Sequence, residues 1–175
     1  MRTGLADATP SYDDLDRAHR PRIARLCGLL LGDPDEAADT AQETLGKLLV
    51  ALRTETRAMD WGAWLTRVAV NACRDRRRSG WWRWWRERGL SIDETTLPAA
   101  VRTPEDEVIG REEQRRVWDA VRRLPDRQRE VFALRQLEGF STDEVAAMLG
   151  IATGSVKQHL FRAVHALRRA MGDAS

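Results

Sequence analysis

Residues 141–169, STDEVAAMLGIATGSVKQHLFRAVHALRR, decide the fold class. Ser141-Thr142-Asp143-Glu144 has the form of a capping box, in which a Ser hydroxyl and a Glu carboxylate three residues on satisfy each other's orphan backbone donors. It opens a short helix, Thr142 to Leu149. Ala146, Gly150 and Val156 then fall at the relative spacing of a helix-turn-helix: a small residue lets two helices cross closely, glycine supplies positive φ in the turn, and valine fills the space between the helices. Thr153 is placed to cap the second helix, on which Val156, Leu160, Ala163, Val164 and Leu167 make one apolar stripe.

The face opposite that stripe carries Ser155, Gln158, Arg162, His165 and Arg169, with Lys157 on its flank. Gln and Arg can pair bidentately with base edges in a major groove, while Lys and Ser hold phosphates. The alternative is a three-helix protein-binding unit whose basic face is only solvated. His159 and His165 are six positions apart, not the i, i+4 spacing of a helical metal pair.

Outward from this stretch the helical period continues, and strand signals are nearly absent. Asp14 to Leu31 carries Leu15, Ala18, Ile23, Leu26, Cys27 and Leu30, interrupted by Pro21, which suits either a first helical turn or a kink. A second helix opens near Asp33, with Pro34 at its first position and carboxylates in its first turn, and runs to about Leu52. A third begins near Trp61 and continues at least to Arg78, where Ser79-Gly80 interrupts it. Residues 89–112 scatter Gly89, Pro98, Pro104 and Gly110 among Ser, Thr and acids, as a linker does. Arg111 to Arg123 reads as a helix ending at Leu124-Pro125. The expected fold is all-α: two helical modules, 12–88 and 113–172, joined by a flexible linker, the C-terminal module holding the helix-turn-helix.

The 175 residues carry a formal charge of only +2, but the charge is segregated. Leu31 to Leu45 holds five acids and no base, and Thr66 to Arg88 eight Arg against Asp75 and Glu87. Ser91 to Glu113 holds seven acids against Arg102 and Arg111, and Ile151 to Gly172 four bases and no acid. One surface for a polyanion and another for a basic partner is the simplest physical reading. Cys27 and Cys73 each sit in an amphipathic helical pattern without a second ligand at metal spacing, so both are expected in the core. There is no apolar run long enough to span a membrane and no export signal at the N-terminus, which leaves the cytoplasm as the expected location without direct membrane insertion. No Cys/His cluster, nucleophile elbow or phosphate-cradling glycine loop is present, so neither catalysis nor a cofactor is expected.

In the helix from Trp61, positions Trp64, Leu65, Val68, Ala69 and Ala72 make the expected buried face, and Arg67, Asn71, Arg74 and Arg78 recur on the other. Arginines neutralise phosphate, whereas an amide reads a base edge through a donor and an acceptor together. The polar segment Arg53 to Asp60 precedes this face and could hold an unstacked nucleotide. A solvated basic helix is the other reading of the same residues.

Asp39-x-x-Gln42-Glu43, then Trp64-Leu65-x-x-Val68-Ala69-x-Asn71-x-x-x-Asp75-x-x-Arg78, then the linker, then Leu124-Pro125-x-x-x-Arg129-Glu130-Val131-Phe132, and last Gly150-Ile151-x-x-Gly154-Ser155-Val156-Lys157 with Arg162-Ala163 occur in that order. The chain thereby resembles the extracytoplasmic-function sigma factors of bacterial RNA polymerase, from about Ala18 to Ala170. The resemblance implies that Asp39, Gln42 and Glu43 dock on core polymerase. It implies that Asn71, with Arg74, Arg76, Arg77 and Arg78, melts and reads the minus-ten promoter element. Ser155, Lys157, Gln158 and Arg162 would read the minus-thirty-five element as duplex. It also implies an anti-sigma partner anchored in the membrane. A regulator that binds duplex DNA without polymerase is the alternative, but it leaves the Asp39-Gln42-Glu43 surface unused. An enzyme using the carboxylates around Asp35 and Asp39, such as a helical nuclease, is a remoter one.

The tract Trp81-Trp82-Arg83-Trp84-Trp85-Arg86 would place four indoles on one helix face, a patch seldom left bare. It is open to packing on its own module or a protein partner, to stacking on single-stranded DNA, or to a membrane interface, and it resembles the cobalt- and nickel-resistance subgroup. The 24 residues of the linker relax to about 27 Å as a coil and reach ~80 Å extended, against roughly 70 Å between DNA elements two turns apart. Polymerase must therefore hold the modules apart. Footprints of the chain on promoter DNA are expected to cover both elements only with core polymerase present; equal protection without it would count against this.

Overall fold

The computed structural model describes residues 10–55, 59–79 and 109–172, with side chains from 114 onward in the last segment. Its helices are α1 (Tyr12–Leu31), α2 (Pro34–Thr54), α3 (Trp61–Arg78), α4 (Ile109–Arg122), α5 (Asp126–Phe132), α6 (Thr142–Leu149) and α7 (Thr153–Gly172), and no strand occurs among the described residues. The chain divides into two compact units: Met1–Gly28 with Asp33–Glu94, and Thr95–Ser175 with Leu29–Gly32. The tract Trp81–Trp85 and residues 89–108 of the expected linker lie outside the described residues.

In the first unit each helix start has a local cause. The Ser11 hydroxyl accepts from the Asp14 amide at the head of α1. Asp33 caps α2, its carboxylate accepting from the Glu36 amide at 2.8 Å, with Pro34 at the first position. Asp60 caps α3 in the same way through the Ala63 amide at 2.9 Å. α1 is continuous through Pro21, which lies on its exposed side, so neither a helix start nor a separate element falls there. The seam between α2 and α3 is built from Ala37, Ala41, Leu45, Leu48 and Ala51 on one side and Leu65, Ala69, Val70 and Cys73 on the other. Cys27 and Cys73 are both fully buried, as their helical positions predict.

The buried face of α3 is rotated from the expected one. Trp64 and Val68 are half-exposed, while Trp61, Thr66, Val70 and Cys73 are buried. The cause is a second neighbour: Arg22 of α1 donates to the Thr66 hydroxyl at 2.8 Å and to the Gly62 carbonyl at 2.9 Å, covering a flank that a helix packed only on α2 would leave open.

The second unit is assembled around α7, against which α4, α5 and α6 pack. Val121, Leu124, Val131, Leu134, Val145, Leu149, Val156 and Ala163 are among its buried apolar residues. α4 spans Ile109 to Arg122, so its described part reaches back before Arg111 into the segment expected as linker. Arg129 ties the end of α4 to α5, donating to the Arg122 carbonyl at 2.9 Å and pairing with Asp126. α5 passes into a π-helical turn, Ala133–Leu137, whose Arg135 donates to the Phe140 carbonyl. The capping box is present in full: the Ser141 hydroxyl accepts from the Glu144 amide and the Glu144 carboxylate from the Ser141 amide. Gly150 closes α6 at φ +63, a left-handed conformation that a Cβ would strain. Thr153 is the first residue of α7 and not its cap; Ala152 stands before it, its carbonyl accepting from the Val156 amide. No helix among the described residues is long and apolar enough to cross a membrane.

Two buried groups make measurable statements about stability. The Thr40 and Thr44 hydroxyls, both on the core side of α2, have no hydrogen-bond partner among the described residues. Thr40→Val and Thr44→Val each remove an unpaid desolvation cost at nearly constant volume and are expected to stabilise by about 1 kcal/mol in urea melts. A loss of stability instead would mean that the hydroxyls are bonded in solution. His159 of α7 is half-buried with Nδ1 unpartnered, and burial, then Arg127 and Arg162, hold its pKa below 6.5, with Glu130 opposing. Because the fold prefers the neutral ring, stability is level above the unfolded pKa and falls as pH drops below it. Melting temperature measured from pH 8 to 5 is expected to fall less for His159→Asn than for the wild type; parallel curves would remove His159 as the cause.

Candidate nucleic-acid and partner interfaces

On α3 the exposed side carries Arg67, Asn71 and Arg78, with Arg74 half-buried beside them. Asn71 lies midway along the helix, and its side-chain amide makes no hydrogen bond among the described residues, so both its donor and its acceptor are available. Three groups fix the first turn of this helix: the Asp60 cap, the Arg22 bonds to Gly62 and Thr66, and the close approach of α1 at Gly62. A Cβ at Gly62 would meet the His19 ring and the Asp60 carboxylate at 3.3 Å, tight enough that a neighbour must give way. Trp61 and Trp64 meet edge to face at 5.9 Å at the same end. Residues 56–58 of the preceding segment lie outside the described residues.

The run Arg74 to Arg78 is not one basic face. At 3.6 residues per turn Arg76 points roughly 140° away from Asn71, and its guanidinium is paired with Glu36 of α2 and lies 3.7 Å from Glu43. Asp75 is exposed among these arginines.

On α2 Asp39, Gln42 and Glu43 are all exposed, as expected of a docking surface, and the stripe runs on through Gly46, Leu49 and Val50. Leu49 is 43% and Val50 63% exposed, so the surface is acidic at one end and apolar at the other. The Lys47 ammonium at 2.8 Å, with Arg76 behind it, holds the Glu43 carboxyl below the usual carboxylate range. Glu36, with Glu43 and Asp39 farther off, raises the Arg76 guanidinium still higher. Leu49 and Val50 escaped the sequence reading because an apolar pair late in an amphipathic helix ordinarily belongs to the core; their offsets of ten and eleven from Asp39 were the available signal.

On α7 Lys157, Gln158, Arg162, His165 and Arg169 are exposed and Ser155 is half-buried. Of the apolar stripe, Val156 and Ala163 are fully buried and Leu160, Val164 and Leu167 half-buried. Sequence reasoning passed over Phe161, which is 72% exposed and stacks on the His165 ring, centroids 6.0 Å apart and planes 10° from parallel. Its place one residue off the core stripe, on the Lys157 side of the helix, was the signal. This face thus combines cations, an amide and an apolar ring. No group of three or more potential metal ligands occurs among the described residues.

Comparison with known proteins bears on both units. Residues 15–83 match the family described as Sigma-70 region 2 and residues 114–167 that described as Sigma-70, region 4. The chain is similar to the ECF RNA polymerase sigma factor SigW of Bacillus subtilis, 28% identical over 93% of this chain and 90% of that protein. It is 30% identical to the RNA polymerase sigma-E factor of Streptomyces coelicolor over 90% of this chain and 84% of that one. To BldN, another ECF sigma factor of Streptomyces coelicolor, it is 34% identical over 97% of its own length and 62% of that protein's. Its fold resembles that of RpoE from Bartonella quintana, solved with the anti-sigma factor NepR, at a TM-score of 0.71 and 22% identity over 92% of this chain and 96% of that one. CnrH, solved with the cytosolic domain of CnrY, follows at 0.59 and 24% over 94% and 89%. With both regions matched in order, and with relatives of this identity aligned over most of their length, the chain belongs to the extracytoplasmic-function group of the sigma-70 family.

Proposed function

We propose that this chain is a sigma factor that binds core RNA polymerase and directs it to promoters. The observation that carries the reading is the pairing, in one chain, of a region 2 unit with an exposed acidic stripe and an unpartnered Asn71 and a region 4 unit with a helix-turn-helix. The stripe Asp39-Gln42-Glu43, extended by Leu49 and Val50, docks on the polymerase. Asn71 reads an unpaired base of the minus-ten element, with Arg67, Arg74 and Arg78 along the strand's phosphates and Arg77 at the edge of that face. Ser155, Lys157, Gln158 and Arg162 read the minus-thirty-five duplex, and the exposed Phe161 ring suits the methyl of a thymine. Units 12–88 and 113–172, the second extended back to Ile109, act on either side of the linker. A regulator working without polymerase would account for the second unit alone, and the region 2 match favours the sigma reading over it.

An anti-sigma factor belongs to the same proposal. Two structural neighbours were solved with such a partner or its domain, and we extend this to a partner anchored in the membrane and acting on a cytoplasmic chain. A role in cobalt and nickel resistance enters the proposal only through the tryptophan tract at 81–85.

Run-off transcription with core polymerase on a promoter library tests the whole. Asn71→Ala is expected to lose roughly 1–3 kcal/mol of discrimination at a single minus-ten position, with the rest of the preference intact. Uniform loss at all positions would make Asn71 structural. In the same assay Asp39→Arg with Glu43→Arg should abolish copurification with core polymerase while leaving binding of the second unit to minus-thirty-five duplex unchanged; wild-type chain that starts no transcripts would remove the proposal.

A further inference from the structure

The one arginine of the 74–78 run that the proposed function leaves unused is Arg76. The run of cations suggests a phosphate contact there, and such a contact, when lost, would weaken binding to all promoters alike and flatten the salt slope. The geometry places it elsewhere. Arg76 is paired with Glu36, lies 3.7 Å from Glu43, and feels the charge of Asp39. Glu36, Asp39 and Glu43 stand at successive turns of α2, where like charges three and four residues apart repel. From α3, Arg76 reaches across to Glu36 and Glu43. Its own side chain is 30% exposed and Glu43 47%, so the cation is neither buried scaffold nor a free arm; it sits at the rim of the acidic stripe.

We propose that Arg76 is an internal counter-ion of the polymerase-docking stripe: it occupies carboxylates that a basic surface of the polymerase takes over on binding, and it does not contact DNA. This rests on the sigma-factor reading. Glu43 has two cations at hand in the free chain, Lys47 from its own helix and Arg76 from α3. Docking a basic surface at Asp39 and Glu43 exchanges Arg76 for a cation of the partner, so the stripe is held at a lower negative charge until the partner arrives. The same arrangement ties the docking helix to the helix that carries Asn71.

The test compares wild type, Arg76→Gln and Arg76→Lys, each checked for folding by melting, in two measurements. The first is the rate and affinity of association with core polymerase over a range of salt. Removing the charge is expected to speed association about threefold at ~50 mM salt and to steepen its salt dependence, the difference vanishing near ~0.5 M where charges are screened. Arg76→Lys, which keeps the cation, is expected to stay near the wild type. The second is the salt slope of promoter binding by the assembled polymerase complex, which is expected to be the same for all three. Association unchanged or slowed by Arg76→Gln, or speeded equally by Arg76→Lys, overturns the counter-ion role. A slope flattened by about one unit overturns the exclusion from DNA. Wild-type chain that does not bind core polymerase at any salt would fail the underlying reading, a result visible before any variant is compared.

Discussion

Eighteen residues of α3 must serve three surfaces at once, and the helical repeat decides which residue serves which. Leu65, Ala69, Val70 and Cys73 close the core of the first unit. Arg67, Asn71 and Arg78 face solvent. Arg76, on a third bearing, meets the carboxylates of α2. A shift of one residue in the phase of this helix would carry Asn71 toward α2 and bury an arginine. The phase is held by features that act at its first turn: the Asp60 cap, the two bonds from Arg22, and a glycine where α1 comes close. The placement of one amide therefore depends on a cap eleven residues before it.

The second unit reaches the same end by a different route. Its recognition helix is aimed by elements that are mostly local: a reciprocal capping box, a left-handed glycine between α6 and α7, and the Arg129 link from α5 to the end of α4. Local devices of this kind each contribute on the order of 1 kcal/mol, and they agree with the apolar stripe of α7 on one geometry. The difference matters for what each helix can do. A helix held by its own flanking residues can meet a rigid duplex with little reorganisation, as groove recognition requires.

That contrast also explains what could be read from the chain. The starts of α2 and α6 follow from Asp33-Pro34 and Ser141 to Glu144, because caps are local chemistry and residue types are enough to find them. The helix-turn-helix was legible for the same reason. Period alone also located the outward Asn71, whereas the stripe Asp39-Gln42-Glu43 was singled out only through the family resemblance. What was not legible depended on neighbours distant in sequence. Thr66 is covered by Arg22, some forty residues earlier, which donates to its hydroxyl. Arg76 looked like its neighbours in a run of bases, and only the position of α2 separates it from them. Phe161, Leu49 and Val50 broke the rule that large apolar residues go inside, which a single sequence cannot distinguish from core.

The proposed division of labour has an energetic reason. Each interface is one helix face with a few side chains; a good bidentate base contact discriminates by only about 1–3 kcal/mol, and association costs at least about 4 kcal/mol in lost freedom before any contact counts. Neither face alone can then hold a promoter tightly at cellular salt, where the phosphate contribution is also reduced. Fixing both faces on one large partner changes this: once one has bound, the other meets its site at an effective concentration of order mM. In the proposed reading the acidic stripe on α2 is then as much a part of promoter recognition as Asn71 or Gln158, although it touches no base. An interface of modest strength on each unit also keeps the free chain from occupying DNA by itself, so that specificity appears only in the assembled complex.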